Sequence, residues 1–147
     1  MTRIAYIGGL GRTYDLATVR RAAEMLGAEL VVAGGENQLG REDLERMLAS
    51  CDVGVVPMAD NSWVGVPNKV FDYAKAGLPI ASSLGGETAA LLKRYGCGAT
   101  WRYGDAGSLA EAVRVAVATP KGASRRMFEQ EFDAAKIYDD YVQRVLS

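Results

Sequence analysis

Eight consecutive residues bring together groups that can hold a phosphorylated ligand: Gly65-Val66-Pro67-Asn68-Lys69-Val70-Phe71-Asp72. Proline opens helices well, because the first helical position has no use for an amide hydrogen. The helix expected from Pro67 therefore starts with free backbone amides that favour an anion. Gly65 lets a phosphate approach the backbone, and Lys69 adds a mobile positive charge. Asp72 lies about one turn further on, where a carboxylate can accept hydrogen bonds from ribose hydroxyls. A plainer account is also open. Asp72 suits the first turn for its effect on the helix dipole, and Lys69 suits a solvated surface.

The rest of the chain supplies the frame for these residues. Apolar runs at Ile4 to Ile7, Leu30 to Ala33, Val53 to Val56 and Ile80 to Ser82 read as strands, with a weaker fifth at Gly98 to Arg102. Helical periodicity fills the gaps. Val19, Ala22, Ala23 and Leu26 mark one helix, with Asp15 as its cap and Gly27 as its stop. Leu44, Met47 and Leu48 mark a second; Val70, Phe71, Tyr73 and Ala74 mark the third, ended by Gly77 and Pro79. A further helix is expected from Glu87 to Arg94. Ser108, with Glu111 three residues later, predicts a capping box for the helix through Ala118. Alternation of strands and helices predicts an α/β, Rossmann-like, three-layer domain around a parallel sheet. Ligands of such sheets sit beyond the carboxyl ends of the strands. Gly8 to Arg12, Gly34 to Gln38, Pro57 to Val66 and Ser82 to Gly86 fall there.

Composition removes several alternatives. The 147 residues suit one domain, and the net charge of -1 gives no reason to propose a nucleic-acid partner. Histidine is absent, so the commonest general base and the Ser-His-Asp arrangement are excluded. Cys51 and Cys97 lie in apolar surroundings and are expected to be buried thiols. No apolar run reaches the roughly 20 residues of a membrane span, and a cytoplasmic location is expected. Gly8-Gly9-Leu10-Gly11 lacks the Gly-x-Gly-x-x-Gly pattern of a nicotinamide site.

Gly65 to Ala74, followed by Ala76-Gly77-Leu78-Pro79-Ile80, resembles the signature of family 4 glycosyltransferases, in particular their polysaccharide-biosynthesis branch. Tyr6-Ile7-Gly8-Gly9-Leu10 is similar to the opening strand and glycine loop of that family's C-terminal domain. Cys51 to Pro57 resembles the strand before the signature. The resemblance implies the C-terminal, nucleotide-sugar-binding half of a GT-B fold. Residues 1–124 would form this domain. Residues 125–147 would form a last helix that packs on it or reaches to an absent N-terminal, acceptor-binding domain.

The resemblance also implies roles. Gly9, Gly11 and Arg12 would lie near a diphosphate, and Gly65, Asn68 and Lys69 would hold it from the helix start. Asp72 would bind the ribose, Gly40 would border the nucleobase, and Gly86 and Glu87 would approach the sugar or phosphates. Arg12 and Lys69 would stabilise the charge on the leaving nucleoside diphosphate. The implied reaction is a retaining glycosyl transfer from a UDP-sugar or GDP-sugar, with no metal and no cofactor. It needs the second domain, so the isolated chain is expected to be inactive, and any membrane association would come through that domain. The sequence departs from the pattern at Val64, where relatives carry an acid, at Arg12-Thr13-Tyr14, where many place arginine then lysine, and in the short stretch from Gly35 to Leu44. A non-catalytic nucleotide-sugar-binding module or regulatory subunit is the alternative.

Overall fold

The computed structural model describes residues 1–8, 15–34, 39–59, 66–120 and 122–132. Five strands, β1 (Arg3–Ile7), β2 (Glu29–Ala33), β3 (Val53–Val56), β4 (Ile80–Ser82) and β5 (Gly98–Thr100), form one parallel sheet in the order β2-β1-β3-β4-β5. The helices between them are α1 (Leu16–Leu26), α2 (Arg41–Ala49), α3 (Asn68–Lys75), α4 (Gly86–Tyr95) and α5 (Ala106–Val117). A short α6 (Ala123–Met127) runs into a π-helical turn at Phe128–Phe132.

Alternation along the strands builds two cores. Ile4, Val53 and Val55 face α1 and α5, where Val19, Ala22, Leu109 and Val113 close the layer. Ala5, Ile7 and Val56 face the other way, against Leu48, Val70, Tyr73, Leu92 and Met127. Successive strand side chains point to opposite faces, so a parallel sheet covered on both sides needs this near-continuous apolar pattern. Both cysteines are buried thiols, as their surroundings indicated.

Local signals hold at most boundaries. The Asp15 carboxylate accepts from the Thr18 amide at 3.1 Å, and Gly27 closes α1 with φ of 63°. Removing that cap by Asp15→Ala is expected to cost about 1 kcal/mol of stability, read by urea denaturation. An unchanged midpoint would show that the cap contributes nothing. The expected capping box at Ser108 is corrected. Asp105 is the cap, its carboxylate accepting from the Ser108 amide at 2.9 Å. The Ser108 hydroxyl instead accepts from the Arg102 amide. Both side chains suit a cap; Asp105 takes the role because the chain already turns at Gly104, which has φ of 82°. The fifth strand ends at Thr100, two residues short of Arg102.

The described part of the C-terminal segment packs on this domain. Met127 is buried with its sulfur 3.7 Å from the Cys97 thiol, and Arg125 donates to the Lys75 carbonyl at 2.6 Å. Among the described residues no helix is long and apolar enough to cross a membrane.

Candidate functional site

The strand order reverses direction of growth between β1 and β3, so this is the switch point of the sheet. Open α/β sheets bind ligands at the carboxyl edge of that point. The ladder here is short. Ile4 pairs with Val53 and Ala5 with Gly54, and pairing stops there. Continued one residue, the register would set Tyr6 opposite Val55. The Tyr73 hydroxyl occupies that rung instead. It accepts from the Ile7 amide at 3.1 Å and lies 2.8 Å from the Val55 carbonyl and 3.2 Å from the Ala5 carbonyl, donating its one proton to either. Burial pushes the phenol well above its ordinary pKa, so it remains a neutral donor.

Lys69 stands one turn before Tyr73 on α3 and is only 6% exposed. Its ammonium lies 5.4 Å from the centroid of the Tyr6 ring, a cation–π contact. It also presses on Gly8, where an added Cβ would fall 2.9 Å from Nζ. Gly8 in turn is stacked on Gly34: a Cβ on Gly34 would meet the Gly8 carbonyl oxygen at 1.9 Å, and both glycines have φ above 120°. The ends of β1 and β2 thus meet backbone to backbone, leaving the amine a seat that side chains would fill. Burial lowers the Lys69 pKa to about 8. This is not the solvated lysine of the plainer reading.

Asp72 faces a different side of α3. It lines a groove of about 500 Å³ with Arg41, Leu44, Glu45, Lys75 and Arg125 among its walls. Burial raises its carboxyl above the usual range, while the charges of Arg41 and Lys75 pull it down. Lys75 is engaged by Glu45 at 3.6 Å, and Arg125 by Glu129 at 3.2 Å. Among the described residues the Asp72 carboxylate makes no ion pair or hydrogen bond. A half-buried carboxylate in that state is suited to accept from hydroxyl groups.

Gly40 is the N-cap of α2, directly before Arg41, so it borders the groove that holds Asp72. Gly86 and Glu87 open α4, beyond the carboxyl end of β4, where the Ser83 hydroxyl ties the β3 and β4 ends together through the Val56 and Met58 carbonyls. Asn68 is exposed at the first position of α3. Gly9, Gly11, Arg12, Gly65 and Val64 lie outside the described residues. Sequence reasoning missed Tyr6, Tyr73 and Arg41 as parts of the site. An arginine directly after Gly40 was the available signal for the last.

A doubly wound sheet with a cation seated at its switch point defines a Rossmann-like α/β domain, the fold of one half of a GT-B glycosyltransferase. The chain belongs to the glycosyl transferases group 1 family, whose family model matches residues 3–119. Among solved structures, HepE from Anabaena in complex with UDP and glucose is similar over 97% of this chain, with a TM-score of 0.68 and 13% identity. This chain spans 47% of the HepE chain. The catalytic domain of cholesterol-α-glucosyltransferase from Helicobacter pylori also matches, over 99% of both chains, at a TM-score of 0.47 and 13% identity. No curated protein sequence matches the chain.

Proposed function

We propose that this chain is the donor-binding half of a glycosyltransferase, C-terminal in a GT-B enzyme of family 4. It holds a nucleoside-diphosphate sugar, UDP- or GDP-linked, for transfer to an acceptor carried by an N-terminal domain. The observation that carries this reading is the Lys69 ammonium buried against Gly8 at the switch point, on the same helix as the uncommitted Asp72 carboxylate. Family membership and the UDP carried by the similar HepE structure support it.

In this reading Lys69 and the first amides of α3 take the diphosphate, and Arg12 joins them from the first loop. Asp72 accepts from the ribose hydroxyls, with Gly40 and Arg41 bordering the base. Gly9, Gly11 and Gly65 let the phosphates approach the backbone, while Asn68, Gly86 and Glu87 serve the phosphate and sugar end. Transfer leaves negative charge on the nucleoside diphosphate, and the cations stabilise it without a metal. The transfer is taken to proceed with retention, in the synthesis of a polysaccharide, and to require the second domain.

The test is an NMR titration of the labelled chain with UDP, GDP and their sugar conjugates. Shifts should cluster at Gly8, Lys69 and Asp72 with the correct nucleotide. Asp72→Ala should weaken binding about tenfold, the worth of a charge-assisted hydrogen bond lost to solvent. No response at millimolar concentrations of any of these ligands would overturn the reading for this chain alone.

A further inference from the structure

We infer that the Tyr73 hydroxyl is a positioning group: it holds β1 and β3 apart at the switch point and so sets the place of the Lys69 ammonium. The ligand in this inference is that of the proposed donor site, and the inference rests on that reading for its effect on binding.

A parallel ladder would join the Ile7 amide to the Val55 carbonyl directly. Instead one phenol oxygen stands between them and also reaches Ala5. The Ile7 amide and the Val55 carbonyl are buried and would be costly to leave unpaired. The hydroxyl therefore replaces the missing ladder bond, and it fixes the opening at the size of one oxygen atom.

Strand alternation assigns Tyr6 to the face shared with Ile4, whereas Lys69 comes from the α3 face with Val70 and Tyr73. The contact between the Lys69 ammonium and the Tyr6 ring consequently crosses the carboxyl edge of the sheet, beside the open rung. Lys69 and Tyr73 are four residues apart, so both project from one face of α3 toward this edge. Closing the rung would draw β1 toward β3. It would carry the Tyr6 ring and Gly8 away from the present seat of the amine.

A Cβ on Gly54 would fall 2.4 Å from Cγ of Tyr73, so the ring rests directly on the β3 backbone. The phenol thus reaches the rung through a channel that only glycine leaves open. A ring that served only to fill the core would not require its hydroxyl to end between two strands.

The experiment is Tyr73→Phe in the full chain with its lysines carrying ¹³C at the ε position. The Lys69 ε signal is followed from pH 6 to 10, about two units either side of an amine whose pKa burial lowers to about 8 in the native chain. The expected result is a changed Lys69 titration midpoint with Lys75 unmoved, and UDP binding about tenfold weaker. A folded variant with the native Lys69 titration overturns the inference, whatever its stability. Should native chain not bind UDP at all, the donor reading fails, and the titration still decides the inference. If the variant does not fold in dilute buffer, it is titrated in trimethylamine N-oxide, which is excluded from the protein surface and favours the compact state. A shifted Lys69 signal then supports the inference, and an unmoved one overturns it.

Discussion

Gly54→Ala should be among the most damaging single-methyl additions in this chain, at a cost of about 3 kcal/mol, the upper range for overpacking a core. The added Cβ would lie 2.4, 2.5 and 2.6 Å from three atoms of the Tyr73 ring. Neither side can yield cheaply. The Gly54 backbone is fixed between β1 and β4, pairing with Ala5 and Ile80, and its amide donates to the Pro79 carbonyl at 2.9 Å. The ring is fixed at its far end by the Ile7 amide and the Val55 carbonyl. Gly40→Ala is the matched control. It adds the same methyl where nothing lies within 4 Å and φ is -66°, so its cost should stay within about 1 kcal/mol, that of alanine at a helix N-cap. Urea denaturation reads both through the midpoint at constant slope. The pair Gly54→Ala and Tyr73→Ala should be strongly non-additive, because removing the ring makes room for the methyl. Equal stability of Gly54→Ala and the native chain would mean that the ring does not rest on β3.

The same residues show what a sequence discloses and what it withholds. The strands and helices were legible because apolar runs, period-3.6 stripes and glycine stops all agree. Val53 to Val56 and Ile80 to Ser82 were read with their observed limits. Lys69 and Asp72 were legible as a pair because type and spacing at a helix start suggest their chemistry. Their division was not. Lys69 turns to the switch point and Asp72 to a separate groove, although their positions are only about 60° apart around the helix, and spacing alone does not say which way each side chain leans. Tyr73 was visible only as packing surface. Periodicity registers an aromatic ring at a buried position, and says nothing about where its hydroxyl ends. Gly54 inside a strand was a hint of close backbone approach, but the partner that approaches is 19 positions away. The cap at Asp105 was missed for a similar reason. Two acceptable caps stood three residues apart, and the turn at Gly104 decided between them.

Affinity for UDP should fall as pH rises through about 8, and Lys69→Gln should remove on the order of a hundredfold in affinity at pH 7 together with that pH dependence. The sign follows from which form of the amine binds. Burial lowers the Lys69 pKa to about 8 in the free chain, so the ammonium dominates below that pH and the neutral amine above it. A diphosphate beside Nζ favours the charged form and raises the pKa in the complex. Above pH 8 the ligand must then bind together with a proton. Its affinity should decline by about tenfold per pH unit, the slope of one proton taken up, until the pKa of the complex is reached. Below 8 the affinity should level off, since free and bound chain both hold the proton. The absence of histidine removes the side chain that most often blurs this range. Calorimetry in two buffers of different ionisation enthalpy gives a second reading: proton uptake near pH 9 for the native chain and none assigned to this site in Lys69→Gln. Glutamine keeps much of the length and polarity of lysine but cannot carry the charge, so a flat profile in the variant assigns the dependence to the ammonium. A native affinity that stays constant from pH 7 to 10, a span well past the lysine's lowered pKa, would separate Lys69 from the phosphates. The buried amine would then be a structural cation, held by the Tyr6 ring and Gly8 for the sake of the sheet edge alone.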